Sequence, residues 1–273
     1  MIQEAKRKRA TLHTLGCRLN QSETLLIQQG LEQRGYEIVP FGEEADLGII
    51  NTCTVTNLAD SKCRQTIRQF TRKNPEAFTA VIGCYSQMGA KEIAEIGGVD
   101  LIIGNQEKMS VIDYVGQAKN ERPVIVRERI SKEDFSIVNF GDAPFNQRAN
   151  LKVQDGCSFV CSFCIIPFAR GAARARDMEN LLEEARLKAS QGVREIVITG
   201  VNIGTYRTKD GDLLRALERL NAIDGIDRIR ISSIEPTTIP IELFGLMNDP
   251  QHALLPFFHI PLQSGCDKTL RAM

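Results

Sequence analysis

The sequence contains no run of about 18 or more apolar residues, so it offers no segment typical of a membrane-spanning helix. We expect no signal peptide either, because the basic start (Lys6 to Arg9) leads into the mixed segment Thr11–Thr14 instead of an apolar stretch. Net charge is also absent, since 34 basic residues balance 34 acidic ones, which argues weakly against a strongly basic nucleic-acid-binding chain. We therefore expect a cytoplasmic protein without membrane contact.

Six of the eight cysteines form two groups of three, and each group lacks a fourth ligand. One group has the tight spacing C-x3-C-x2-C, in a segment with neither the histidine usual near a zinc site nor the fourth cysteine of an electron-transfer ferredoxin. Three thiolates on a four-iron cluster leave one iron open, so we interpret both groups as cluster sites. The loop cysteines are Cys157, Cys161 and Cys164; the strand-end cysteines are Cys17, Cys53 and Cys84.

The first half of the chain alternates short apolar runs with amphipathic stretches, which predicts the order βαβαβαβ and a doubly wound parallel sheet. Short runs followed by Gly or Asn are typical of buried parallel strands. The predicted strands are Ala10–Leu15, Leu47–Ile50, Phe78–Ile82 and Leu101–Ile103, and the predicted helices are Asn20–Arg34, Asn57–Arg72 and Ser86–Ile96.

The strand-end cysteines each come just after a predicted strand, at the edge where open α/β sheets bind ligands. Gly16 and Gly83 precede two of them and allow a sharp turn and a close approach to a bulky group. A single free cysteine is more often a small buried hydrophobe, but three at equivalent strand ends favour a ligand role. For the two remaining cysteines, Cys63 and Cys266, the structural role is the better interpretation.

Composition divides the chain into residues 1–119 (the strand-end cysteine domain), a linker at 120–149 and a second domain at 150–273. The linker contains Pro123, the charged run Arg127–Asp134 and the turn-rich Gly141–Pro144, without a dominant helix or strand pattern.

The tight spacing directly after a predicted strand (Asn150–Val153), with Phe163 before the third cysteine, closely resembles the signature of the radical SAM superfamily. The resemblance implies that the open iron chelates S-adenosylmethionine, and that the cluster cleaves its sulfonium to a 5′-deoxyadenosyl radical. It implies a (βα) barrel as well. The expected fold class is therefore α/β, with an N-terminal doubly wound parallel-sheet domain followed by an incomplete radical SAM (βα) partial barrel.

Further segments resemble the methylthiotransferase family over essentially the whole chain. Pro167, Arg170 and Gly171 match its C-x-x-P-x-x-R-G continuation, and EIVITGVNIGTY and HIPLQSG resemble later motifs. The segments NTCTVTN, GCRLNQSE and RISSIEP resemble the branch that acts on N6-threonylcarbamoyladenosine beside the anticodon of tRNA. The alternatives are the isopentenyladenosine or ribosomal-protein branch, a radical SAM enzyme with another substrate, and an inactive iron–sulfur fragment.

The resemblance implies two 4Fe-4S clusters: one on the loop cysteines for radical generation, and an auxiliary one on the strand-end cysteines for sulfur delivery. One S-adenosylmethionine supplies the methyl group and another the radical, which abstracts hydrogen from C2 of the adenine. No catalytic residue beyond the cluster ligands is expected. The implied partners are the tRNA anticodon stem-loop and an electron donor protein, and we expect a monomer.

Five residues are candidate contacts to S-adenosylmethionine. Two of them follow the apolar strand Ile196–Thr199, where a barrel loop meets the cofactor, although Gly and Asn also favour an ordinary strand-ending turn. The others lie in the later family motifs. The candidates are Gly200, Asn202, Ser232, Glu235 and Gln263.

Arg170, Arg174 and Arg176 follow the cluster loop, and we weigh phosphate contact equally against a solvated face. The superfamily's barrel usually has six βα units, whereas strand candidates here lie only near Leu151, Ile196, Ile229 and Phe258. We therefore expect truncation at the carboxyl terminus, without the family's RNA-binding β-domain.

Overall fold

A computed structural model describes residues 7–115, 119, 121–138, 140 and 147–273. The chain forms two compact units. The first comprises Met1–Ser131 together with Phe168–Arg170, and the second comprises Lys132–Pro167 and Gly171–Met273. Part of the predicted linker, including Gly141–Pro144, lies outside the described residues.

The first unit is a six-stranded, wholly parallel sheet in the order β2-β1-β3-β4-β5-β6. Successive side chains of a strand point to opposite faces, so a sheet covered on both sides is apolar along its whole strands. The strands are β1 (Arg9–Thr14), β2 (Glu37–Ile38), β3 (Leu47–Thr52), β4 (Phe78–Gly83), β5 (Leu101–Ile103) and β6 (Val124–Val126).

Helices cover both faces of this sheet, as the predicted doubly wound fold requires. Ile49 packs with Ile27 and Leu31 on one face, whereas Ile50 packs with Ile67 and Phe70 on the other. The helices are α1 (Arg18–Gln33), α2 (Asn57–Lys73), α3 (Cys84–Met88), α4 (Ala90–Ala94) and α5 (Val111–Tyr114). The four predicted strands are confirmed; β2 and β6 were not predicted, and β6 lies within the predicted linker.

The predicted helix over Ser86–Ile96 is interrupted. Gly89, with ψ of 37°, leaves the helical conformation and separates α3 from α4. A Cβ at this position would collide with the ring of Tyr85, so only glycine fits between the two short helices.

The second unit is a three-stranded parallel sheet in the order β13-β10-β7, with helices between the strands along the chain. Two short antiparallel pairs, β8 with β9 and β11 with β12, flank it. Its strands are β7 (Arg148–Lys152), β8 (Gln154–Asp155), β9 (Arg174–Ala175), β10 (Glu195–Thr199), β11 (Arg207–Thr208), β12 (Gly211–Asp212) and β13 (Arg228–Ile231). Its helices are α6 (Ile166–Arg170, which ends in the first unit), α7 (Met178–Ser190), α8 (Leu213–Asn221), α9 (Leu243–Asn248) and α10 (Asp267–Ala272).

Three βα-type strands with intervening α7 and α8 confirm the partial-barrel architecture. The strand expected near Phe258 does not form; the chain there makes one parallel bridge, between Leu254 and Ile229. Pro256 and Pro261 flank that segment, and a proline has no backbone N–H to donate to a neighbouring strand. None of the helices in the described ranges is long and apolar enough to cross a membrane.

Candidate functional site

The strand-end cysteines follow three neighbouring strands of the first sheet. Cys53 comes directly after β3 and Cys84 directly after β4, while Cys17 lies three residues past β1. The strand order reverses between β1 and β3, and such a reversal opens a crevice at the carboxyl ends of the strands. The two cysteines after β1 and β3 therefore flank the crevice, and the third lies beside it.

Glycine brings the first two of these cysteines together. Gly16 has φ of +104°, and a Cβ on it would lie 2.7 Å from the Cβ of Cys53 and 3.0 Å from its Sγ. Burial raises the pKa of the Cys53 thiol, and the nearby Cys84 and Cys17 side chains raise it further. The thiolate of Cys53 is thus disfavoured unless a cation neutralises it.

This arrangement fits a polynuclear cluster better than a single ion. Within the described residues, no three Cys, His, Asp or Glu side chains converge closely enough to hold one metal ion. A cubane takes each thiolate on a different iron, so its ligands surround a volume and need not meet at a point. Three thiols that follow neighbouring strands, beside a crevice bordered by Gly16, fit that requirement. The assignment of Cys17, Cys53 and Cys84 as ligands stays a prediction.

Cys63 supports this site through the backbone. Its fully buried thiol accepts a hydrogen bond from the Cys53 N–H (3.4 Å) and donates one to the Cys53 carbonyl (3.3 Å). Burial raises the pKa of Cys63 to about 12, so this side chain remains a neutral thiol. Asn105 contacts another strand-end cysteine directly: its Nδ2 lies 3.5 Å from the Cys84 Sγ and donates a hydrogen bond to it.

A buried ionic cluster lies behind the strand-end cysteines in the first unit. Arg170 contacts both carboxylate oxygens of Glu23 and the side chain of Asn20, and Lys108 contacts the same Glu23. Asn20 in turn donates to the carbonyl of Thr52, the residue before Cys53. Glu23 therefore serves as a buried counter-ion, although in the sequence it reads as part of the start of α1.

The arginine hypotheses are wrong for the whole series. Arg170 is 1% exposed, Arg174 8% and Arg176 0%, so none of them is a solvated face or available to a phosphate. Arg174 pairs with Asp155 (3.5 Å), and Arg176 pairs with Glu184. The motif carries no signal for these carboxylate partners, and Glu23, the partner of Arg170, lies 147 positions away.

The loop cysteines lie between β8 and α6 along the chain. All three are partly exposed. The Cys157 N–H donates to the Gly171 carbonyl (3.0 Å), and the Cys164 N–H donates to the Cys161 carbonyl (3.1 Å). Burial raises the pKa of Cys157, a backbone hydrogen bond at Phe159 opposes this rise, and the charges of Cys164, Cys161 and Glu235 add to it.

Three of the five predicted cofactor contacts meet beside this loop. Asn202 is 1% exposed, and its Oδ1 accepts from the Glu235 N–H (3.3 Å) and the Thr238 hydroxyl (2.9 Å). Burial raises the pKa of Glu235, although a hydrogen bond from Gln263 opposes that rise. Gln263 itself has φ of +64°, the single left-handed non-glycine residue in the described part of the chain.

One buried donor at this site has no partner. The Nδ2 of Asn202 is shielded from water and, among the described residues, makes no hydrogen bond. An unpaired buried amide costs free energy unless a ligand accepts from it. Polar oxygens of S-adenosylmethionine fit that requirement. The contacts of Asn202, Glu235 and Gln263 to the cofactor stay predictions.

The remaining two candidates have backbone roles in the structure. Gly200 follows β10, and a Cβ there would lie 2.9 Å from the Oε1 of Gln154. Ser232 follows β13, and its N–H donates to the Ile198 carbonyl (3.1 Å), which extends the β13–β10 pairing. Their contact to cofactor also stays a prediction. Sequence reasoning missed Gln154, which carries no motif signal but touches both loops of the site.

Two family descriptions match the chain. The radical SAM superfamily matches residues 151–273, and Uncharacterized protein family UPF0004 matches residues 9–104. The two matches cover the two cysteine groups separately.

Several curated proteins are similar along almost the whole chain. The threonylcarbamoyladenosine tRNA methylthiotransferase MtaB of Bacillus subtilis is 40% identical over 96% of this chain and 59% of its own length. The protein of the same name from Aquifex aeolicus is 37% identical, over 97% and 65%. The tRNA-2-methylthio-N(6)-dimethylallyladenosine synthase of Anaplasma phagocytophilum is 31% identical, over 96% and 60%. The chain thus spans about 60% of the length of these relatives.

The fold is similar to that of a solved radical S-adenosylmethionine methyltransferase, TsrM from Kitasatospora setae. The TM-score is 0.60 at 15% sequence identity, covering 96% of this chain and 60% of the other. At this identity the likeness extends to the fold alone.

Proposed function

We propose that this chain is a radical SAM methylthiotransferase that acts on tRNA, inserting a methylthio group at C2 of N6-threonylcarbamoyladenosine beside the anticodon. Its similarity to relatives named for that nucleoside, at 40% and 37% identity, supports this substrate over the isopentenyl nucleoside, whose named relative is 31% identical.

One observation carries the proposal: each compact unit contains one of the two groups of three cysteines. The strand-end cysteines follow neighbouring parallel strands, and the loop cysteines occupy one partly exposed loop. Two separate three-thiol sites suit a reaction that needs both a radical source and a sulfur donor. We propose one 4Fe-4S cluster on each set.

The chain's own residues would bind and orient the reactants. Cys157, Cys161 and Cys164 would hold the first cluster, which when bound with S-adenosylmethionine supplies the electron that cleaves the sulfonium. Asn202 would donate its unpaired amide to that cofactor, and Glu235 would accept from it. Cys17, Cys53 and Cys84 would hold the auxiliary cluster in the crevice of the first sheet.

Nucleoside analysis of tRNA tests the substrate. In cells that lack the gene, we expect loss of 2-methylthio-N6-threonylcarbamoyladenosine, measured by mass spectrometry, with 2-methylthio-isopentenyladenosine unchanged. Loss of the isopentenyl derivative alone would move the enzyme to the other tRNA branch. An unchanged profile for both nucleosides would reject the tRNA role.

Iron analysis tests the two clusters independently of the substrate. Anaerobically reconstituted protein should carry about eight irons, by the count for two cubanes. Substituting the three loop cysteines by Ala should remove about half of this iron, and substituting the three strand-end cysteines should remove the other half. Full retention of iron by either triple variant would reject that site.

The enzyme also needs a reductant, a macromolecular substrate and a cellular location. We propose an electron donor protein as its reductant, the tRNA anticodon stem-loop as its macromolecular partner, a monomeric state and a cytoplasmic location. A radical mechanism needs a reductant because the cluster must gain an electron for each cleavage of S-adenosylmethionine.

A further inference from the structure

Gln154 links the two loops that form the candidate cofactor site in the second unit. It lies in β8, two residues before Gly156 and three before Cys157, and its side chain is fully buried. Its Nε2 donates to the carbonyls of Asp155 (3.1 Å) and Gly156 (2.7 Å). One end of the amide is therefore attached to the backbone that leads into the loop cysteines.

The other end of the same amide holds the turn after β10. Its Oε1 accepts hydrogen bonds from the N–H groups of Val201 (2.8 Å) and Asn202 (3.0 Å). An amide side chain has two donor hydrogens and two acceptor lone pairs, so Gln154 uses its full hydrogen-bonding capacity. A hydrocarbon side chain, which has neither group, and a carboxylate, which has no donor, cannot make all four contacts.

Glycines on both sides permit this close fit. A Cβ on Gly200 would lie 2.9 Å from the Gln154 Oε1, inside normal contact distance. Gly156 has φ of +71°, and a Cβ there would lie 2.6 Å from the Gly171 carbonyl. The turn after β10 therefore approaches the amide as closely as glycine allows, and Gly156 lets the loop that leads to Cys157 pack against the backbone of Gly171 and Ala172.

We propose that Gln154 is a positioning residue that fixes the Gly200–Asn202 turn relative to the loop cysteines, so that Asn202 meets S-adenosylmethionine bound at the cluster. The cofactor part of this inference rests on the proposed function. Substitution of a residue that orients ligands without touching the reacting atoms typically lowers affinity or activity by about 10–100-fold. Gln154 acts in this way, since it contacts backbone on both sides and no predicted ligand side chain.

Hydrogen exchange in the metal-free protein tests the geometry. Gln154→Met keeps the shape of the side chain and removes all four hydrogen bonds, so the Val201 and Asn202 amides should exchange faster. Gln154→Glu keeps the acceptor oxygens, so protection of these two amides should persist while the ties to Asp155 and Gly156 are lost. Unchanged protection in Gln154→Met, or equal loss in both variants, would overturn the assignment.

Electron paramagnetic resonance of the reduced, reconstituted protein tests the consequence for the cofactor. Both variants should keep the iron of wild type, but the spectral change on adding S-adenosylmethionine should need about tenfold more cofactor. Gln251→Met, at an exposed position of the same unit, is the matched control and should titrate like wild type. If Gln154→Met does not fold, Gln154→Glu decides the titration. A folded variant that titrates like wild type would overturn the proposal.

The titration of the wild-type protein with S-adenosylmethionine distinguishes failure of this inference from failure of the proposed function. A wild-type protein whose spectrum does not respond to S-adenosylmethionine contradicts the proposed function. The exchange comparison still decides whether Gln154 holds the turn, because it is made without metal or cofactor.

Discussion

The carboxylate of Glu23 lies 3.3 Å from each of the two terminal nitrogens of Arg170, although the residues are 147 positions apart and both side chains are almost fully buried. Lys108 contacts the same carboxylate. Two buried cations behind the strand-end cysteines therefore share one buried carboxylate. Such a cluster makes the first unit sensitive to any change that leaves a charge without compensation.

Glu23→Gln should destabilise the first unit strongly, because Arg170 and Lys108 would stay buried without their anion. Removing one partner of a buried ion pair typically costs about 3–5 kcal/mol. Urea unfolding followed by circular dichroism measures the effect. The matched control is Glu43→Gln, which breaks the largely exposed pair with Arg9 and should cost less than about 1 kcal/mol. Equal costs for the two variants would contradict the role of the buried cluster.

Gly156→Ala should disrupt the loop that carries Cys157. A left-handed φ of +71° is unfavourable for alanine, and the new Cβ would collide with the Ala172 carbonyl oxygen. We expect lower stability and loss of about half the iron after reconstitution. The control Gly245→Ala lies in α9 with open space around it, and it should be neutral or stabilising by up to about 1 kcal/mol. Wild-type iron content in Gly156→Ala would show that the loop tolerates the side chain.

Because Tyr206 is buried as a neutral phenol, we predict that the free energy of unfolding falls at alkaline pH. Its hydroxyl donates to the Arg176 carbonyl (2.9 Å), and burial raises its pKa above the ordinary value of 10.0. The folded state binds this proton more tightly than the unfolded state does. The resulting stability is therefore fully present below pH 10 and is lost as the pH rises toward the folded pKa.

Unfolding by urea at a series of pH values above neutral measures this dependence. Tyr206→Phe has no phenolic proton, so the fall in its free energy of unfolding above pH 10 should be smaller than that of wild type. The same alkaline slope in both proteins would show that other groups cause it.

Local pattern was enough to predict the sheet and the positions of the cysteines on it. The run Leu47–Ile50 followed by Asn51 and Cys53 predicts a buried strand with a cysteine at its carboxyl end, and β3 has this form. Strands of this kind are recognisable because both faces are apolar over several consecutive residues. The partial barrel could be expected only through the family resemblance, since the strand signals around Leu151 and Ile229 are short.

Contacts between segments far apart in the chain could not be predicted from the sequence. The sequence offers Arg170 only a phosphate contact or a solvated side chain, because its partner, Glu23, lies 147 positions away in the predicted amphipathic helix Asn20–Arg34. Gln154 carried no signal because its role depends on the approach of a turn more than 40 residues later. Pairings of this kind follow from the topology of the sheet, which single-residue patterns do not encode.

Cys63 gives a test of the three-thiol count itself. It is the cysteine nearest to the backbone of Cys53 and is fully buried, so a four-thiol site would have to include it. Its thiol is already occupied with the Cys53 N–H and carbonyl, which favours a structural role. Cys63→Ala should therefore keep the iron of wild type, while its free energy of unfolding falls by roughly 1–3 kcal/mol because two backbone groups lose a partner.

Cys266→Ala, at an exposed position, is the control and should change neither the iron content nor the stability. Iron assays on both variants beside Cys53→Ala decide the question: iron loss in Cys63→Ala equal to that in Cys53→Ala would make Cys63 a fourth ligand and leave no open iron in the first unit.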